Sequence, residues 1–108
     1  MKASELRIGN LVYLPSKAIY SVDFLYKNYE MLNVWQPIPI TEEWLFDFGF
    51  KNNELLDKHL IFIWFGDHVG IKGMLGLIKP WYCVYVHQLQ NLYFALTGEE
   101  LIFKKIGL

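Results

Sequence analysis

Cys83, His87 and Asn91 stand four residues apart, and a thiol, an imidazole and an amide are the working groups of a cysteine hydrolase. In such a site the imidazole takes the thiol proton, a third group orients the ring, and backbone N–H groups hold the oxyanion. This spacing aligns the three side chains only if a helix begins before Cys83. The surrounding WYCVYV is β-branched and aromatic, which predicts a strand instead. A mid-helix ridge also supplies no oxyanion hole, because its N–H groups are already bonded within the helix. Cys83 therefore reads as a buried structural cysteine, and the chain as non-enzymatic.

Other chemistries are no better supported. His59, His68 and His87 together with Cys83 follow no recognised ligand spacing, so no metal and no cofactor is expected. Glycines 70, 73 and 76 precede no GK[ST] and lack the GxGxxG spacing of a phosphate-binding loop. Asp47, Glu54 and Asp57 read as solvated charges, and no acid pair stands out for proton transfer.

The element that must carry His87 and Asn91 is the clearest helix of the chain, expected over residues 87–97. Leu89, Leu92, Tyr93 and Leu96 recur at i, i+3, i+4 and i+7, with Val86 one turn earlier, which predicts a core-facing stripe. Gly98 follows as the left-handed stop. The opposite face carries His87, Asn91 and Phe94, flanked by Gln88, Gln90 and Ala95, and has no formal charge. Solvent faces normally carry Lys and Glu. His87, Gln90, Asn91 and Phe94 are therefore a candidate interaction face. Either a protein partner or second copy covers it, or the chain's own N-terminal β unit does so and bonds its amides.

Residues 1–36 read as that β unit. IGNLVYL (8–14) is β-rich with a kink at Gly9-Asn10. Pro15-Ser16 ends it, residues 19–26 alternate as a half-buried strand, and 31–35 form a third strand after a turn at Lys27-Asn28. Residues 37–50 hold a rigid Pro37-Ile38-Pro39 connector and a short helix near 41–48. Thr41 suits the N-cap, Glu42 and Glu43 complement the dipole, and Ile40 can staple onto Leu45. Gly49 with Phe50 forms a Schellman-type stop. Residues 51–108 are read as further strands, the long helix and a short C-terminal strand at 101–105. LIFIWF (60–65) is apolar on both faces, as a central strand or an edge hidden by a partner. Gly66-Asp67 is a turn, residues 68–72 return as its hairpin partner, and Pro80 separates two further strand pieces.

A chain of 108 residues supports one domain with one core. Hydrophobic residues make up 54% and aromatics 18%, against 19% charged, so more apolar surface is present than so small a core hides. That excess predicts a partner interface or self-association. Ten basic and eleven acidic residues give a net charge of −1 and no global basic footprint. A small nucleic-acid-binding accessory protein, acting through lysines beside exposed aromatics, is the second option. The single cysteine excludes an internal disulfide and fits a reducing, cytoplasmic compartment. No apolar h-region occurs in MKASELRIGN, and Pro80–Gly98 carries His87, Gln88, Gln90 and Asn91, so neither a signal peptide nor a membrane span is expected.

Three blocks, LRIGNLVYL, PIPITEEWLFDFGF and YVHQLQNLYFALTGEEL, taken in this order, resemble the recurrent blocks of a family of small hypothetical proteins of Bacteroidetes genomes, their phages and mobile elements. The resemblance implies an α+β domain of phage or integrated-element origin, and brings no catalytic residue and no established activity. The resulting expectation is a single α+β domain with a mainly antiparallel sheet, an SH3-like curl being one option for it, a short helix near 41–48, and a longer helix near 87–97 packed on that sheet.

Overall fold

The computed structural model of the protein describes residues 6–22, 35–57, 60–73 and 78–102. Within them the chain runs β1 (Leu11–Tyr13), β2 (Ile19–Ser21), α1 (Glu42–Asp47), β3 (Glu54–Asp57), β4 (Leu60–Trp64), β5 (Val69–Gly73), β6 (Ile78–Cys83) and α2 (Val86–Thr97). The fold is α+β, with two antiparallel sheets ordered β1–β2 and β3–β4–β5–β6. No helix among the described residues is long and apolar enough to cross a membrane.

The apolar run LIFIWF becomes β4, an interior strand between β3 and β5. Strand alternation sends Phe62 and Trp64 into the main core with Val69 and Ile71 of β5. Ile61 and Ile63, on the other face, are only half-buried. The edge strand β3 was not expected, because NNELLD shows no β-rich run. It is made by a tight turn in which Lys51 and Glu54 exchange backbone hydrogen bonds of 2.8 and 3.0 Å. Asn52 and Asn53 at φ 52° and 65° are the two left-handed residues that a type I′ hairpin turn demands. At the far edge the structure corrects the role of Pro80. It does not divide two strands but lies within β6, where an edge position leaves its missing N–H unneeded. The register there shifts between Val69 and Ile71.

Helix α1 follows its local signals closely. The Thr41 hydroxyl accepts from the Trp44 N–H at 3.4 Å, a long cap contact. At the other end, Phe50 N–H donates to Leu45 C=O (2.9 Å) and Gly49 N–H to Phe46 C=O (3.0 Å), the paired bonds of a Schellman ending. Gly49 stands at φ 101°, a conformation that costs a side-chain-bearing residue most. Trp44, Leu45 and Phe48 enter the main core beneath the sheet.

Helix α2 starts at Val86, after Tyr85, and ends at Gly98 in the left-handed region. Gln88 folds back at the start, its Oε1 accepting from the N–H groups of Val84 (3.0 Å) and Tyr85 (3.1 Å). The connector 38–40 runs antiparallel to 84–86, through Ile40 N–H to Val84 C=O and Val86 N–H to Ile38 C=O. This places Ile38 and Ile40 in the same core as Val86 and Leu89. Leu92 and Tyr93 pack on that core, and the Tyr93 ring lies 5.4 Å from Phe62. Leu96, expected in the stripe, is exposed instead.

Within the described residues, β1 is shorter than the expected 8–14. Asn10 is fully buried but outside β1, while Gly9 N–H and Val22 N–H extend the ladder through bonds of 2.7 and 2.8 Å. Tyr13 pairs with Gln36 on the opposite edge of β1. Leu6, Val12, Val22 and Trp35 form a second, smaller core. The expected remainder of the second strand, the turn at Lys27-Asn28 and most of the third strand lie outside the described residues. Leu101 is buried in the main core and Ile102 exposed, but neither is in a strand. The rest of the expected C-terminal strand also lies outside the described residues.

Candidate functional site

The Gln90–Asn91 part of the uncharged face of α2 is met by the chain's own residues 7–11. Gln90 is 3% exposed. Its Oε1 accepts from the Leu11 N–H (2.8 Å) and its Nε2 donates to the Gly9 carbonyl (3.1 Å). The Asn91 Oδ1 accepts from Asn10 Nδ2 (2.8 Å) and from Arg7 Nε (3.1 Å). Arg7 also lies over Phe94, its guanidinium carbon 4.2 Å from the ring centroid, and forms a two-pronged ion pair with Glu100. Of the candidate interaction face, His87 and Gln90 are thus buried and Asn91 is partly covered, while Phe94 remains 39% exposed. The Gln90 amide satisfies backbone groups left open where Gly9 and Asn10 bend the chain, and Asn91 takes the side chains of Asn10 and Arg7. His87 is 2% exposed and stacks on Tyr85 with an interplanar angle of 13°.

The thiol–imidazole–amide spacing does not become a single ridge, since Cys83 ends β6 and α2 starts only at Val86. Burial pushes the Cys83 thiol up from an ordinary 9.0 to about 11, so it is protonated at neutral pH. The Asn91 carbonyl oxygen is engaged by Arg7 and Asn10. Among the described residues no three His, Cys, Asp or Glu side chains gather as a metal site.

Exposed apolar surface collects elsewhere, at the end of the four-stranded sheet where β3 begins and β4 turns into β5. The Trp64 N–H donates to the Asn53 carbonyl (2.8 Å), which ties the Lys51–Glu54 turn to that end of β4. An open groove of about 450 Å³ is lined by Gly49, Lys51, Asn52, Glu54, Leu55 and Leu56. A second hollow of about 210 Å³ shares Asn52 and brings in Glu42, Leu45, Phe46 and Phe50. Phe46 is 76% exposed, because the two-turn α1 buries Trp44, Leu45 and Phe48 on its other side, and Leu56 is 71% exposed on the outer face of β3. The β3 edge itself offers little to an added strand. Glu54 spends its outward N–H and C=O on Lys51, and alternation leaves only those of Leu56 pointing outward.

At the β4–β5 turn three rings form a ladder. Phe65 and His68 stack at 5.0 Å, and His68 and Tyr82 at 4.0 Å with 15° between planes. The register that sets Val69 opposite Cys83 is what brings Tyr82 beside His68. Asp67 Oδ1 is 2.6 Å from His68 Nδ1, and the Tyr82 hydroxyl donates to Oδ2 at 3.3 Å. The hydrogen bond with His68 is the main reason that the Asp67 carboxyl is held below the ordinary carboxylate range. This cluster was invisible to sequence reasoning. Gly66-Asp67 announced a turn, but Tyr82, 15 residues from Asp67, could be placed there only by strand register.

No family model, curated protein or solved structure matches this chain.

Proposed function

We propose that this chain is a non-enzymatic protein-binding or adaptor module whose contact surface is the sheet end around α1 and β3, and that it associates with a second copy of itself through that surface. The observation that carries this reading is the exposure of Phe46 and Leu56, at 76% and 71%, beside adjoining grooves rimmed by Lys51, Glu54 and the Asn52-Asn53 turn. Apolar side chains framed by polar ones are the usual anatomy of a protein contact, and covering them removes apolar area from water. The resemblance of the three sequence blocks supports an origin in phages or integrated elements. The lone, unbridged Cys83 supports a reducing, cytoplasmic setting.

Light scattering across a concentration series tests the reading. The wild type is expected to gain mass with concentration, and Phe46→Ser with Leu56→Ser to remain monomeric. Unchanged urea midpoints would show that the variants fold. A monomer at every concentration, with no Phe46-dependent capture of a host protein, overturns it.

A second reading, a small nucleic-acid-binding accessory protein, draws on the Phe65–His68–Tyr82 ladder, since exposed rings can stack on bases. The carboxylate of Asp67 within that ladder opposes a phosphate backbone, which is why the protein-binding reading stands first.

A further inference from the structure

We propose that the Phe65–Asp67–His68–Tyr82 cluster is a recognition site for an arginine side chain presented by a partner protein. The proposal rests on the protein-binding reading and names the chemistry that such a partner would bring to this end of the sheet.

A guanidinium is recognised by two things together, a carboxylate for its N–H fork and an aromatic face for its plane. Both are present and both are accessible. Tyr82 is 60% exposed, Phe65 is 49% exposed, and the Asp67 side chain is 70% exposed. The carboxylate accepts one bond at each oxygen, from His68 at Oδ1 and from Tyr82 at Oδ2. A carboxylate has about four acceptor positions, so roughly half its capacity stays open. These bonds also hold it in place before any ligand arrives, which lowers the entropy lost on binding. The ring ladder cannot easily collapse onto the carboxylate, because His68 sits between Phe65 and Tyr82 and is itself bonded to Asp67. What remains outward is a carboxylate with open acceptor positions at the hydroxyl edge of Tyr82, whose ring is stacked by His68 on one face and is 60% exposed. That combination favours a planar cation over an anion, and arginine over lysine, whose ammonium lacks the plane.

The probes are the peptides acetyl-Gly-Arg-Gly-amide, its lysine and citrulline counterparts, and an oligothymidylate, each titrated into the ¹⁵N-labelled full chain. Saturable amide shifts centred on residues 65–69 and 82 are expected with the arginine peptide. The lysine peptide should bind several-fold more weakly, and citrulline, which keeps the plane but loses the charge, at least about tenfold more weakly. Raising the salt from low to about 0.5 M should weaken the arginine shifts. Asp67→Asn should reduce affinity by about tenfold, and Tyr82→Leu, which leaves the carboxylate in place, by several-fold. Equal binding of citrulline and arginine, or arginine shifts unaffected by both substitutions, overturns the proposal. So does oligothymidylate binding at the same residues without arginine binding, which would make the ladder a base-stacking platform. The self-association test at Phe46 is separate. Arginine binding can fail while the chain still dimerises, and it can succeed in a chain that stays monomeric.

Discussion

Two surfaces of this molecule looked alike in composition and behave differently in three dimensions. The outer face of α2 is uncharged and includes an aromatic ring. The sheet end around Phe46, Leu56, Phe65 and Tyr82 likewise mixes aromatics with amides, but sets them among Glu42, Lys51, Glu54 and Asp67. The first is covered at its centre by residues 7–11, with the Gln90 and Asn91 amides closed onto Gly9, Leu11, Asn10 and Arg7, and leaves Phe94 39% exposed at its rim. The second keeps some of the most exposed large apolar side chains in the described structure. The difference lies in what the polar groups are for. The Gln90 amide on α2 replaces the backbone partners that a bent β1 lacks, whereas Asn52 and Asn53 are spent on the left-handed geometry of a turn. An uncharged face is thus evidence of a partner, and that partner can be the same chain.

The comparison breaks most decisively at Gln90. Gln90→Ala should cost about 2–3 kcal/mol in urea denaturation, because it leaves the Leu11 N–H and the Gly9 carbonyl without their partners. A loss comparable to that of an exposed substitution would mean that this face is not sealed. Cys83, beside the buried helix, offers an effect of similar size that appears only in alkali. Its folded-state value of about 11 exceeds the ordinary 9.0, so above pH 9 the unfolded chain releases a proton that the native chain retains. Native stability should therefore be unaffected by this group below about pH 8 and fall between pH 9 and about 11, by roughly 2–3 kcal/mol. The measurement is the difference in pH slope between the wild type and Cys83→Val, which cancels the other groups titrating there.

A smaller change is expected at Arg7, on the rim of the sealed face. Arg7→Ala removes the contacts to Asn91, Phe94 and Glu100, but the ion pair is partly solvated, so about 1 kcal/mol is expected and part of it should vanish in salt. Least of all should follow from Phe46→Ser with Leu56→Ser, within about 0.5 kcal/mol of the wild type by the same denaturation. Their effect should fall on the mass measured by light scattering instead. A large stability loss there would show that the sheet end is as buried as the helix face, and the contrast between the two would disappear.

How much of this was legible follows the reach of the interactions. α1 could be read in advance because its cap, its dipole partners and its Schellman ending all act within a few residues of one another. The end of α2 at Gly98 and the β4–β5 hairpin are local for the same reason. β3 went unread because its strand character comes from pairing with β4, and its own residues Glu54–Asp57 alternate too weakly to announce it. Pro80 misled because a proline's effect depends on whether its strand is an edge, which only the strand order decides.

The sequence by itself determined the fold class, the two helices and the absence of charge from one helix face. It could also state the two alternatives for that face. Tertiary structure alone chose between them, because the Leu11–Gln90 bond joins residues 79 positions apart, and no pattern within a helix reports what lies across from it. The same reason hides the ring cluster at Asp67, whose four side chains come from the β4–β5 turn and from β6. Local physics writes itself into adjacent residues, while burial and register are properties of the assembled sheet.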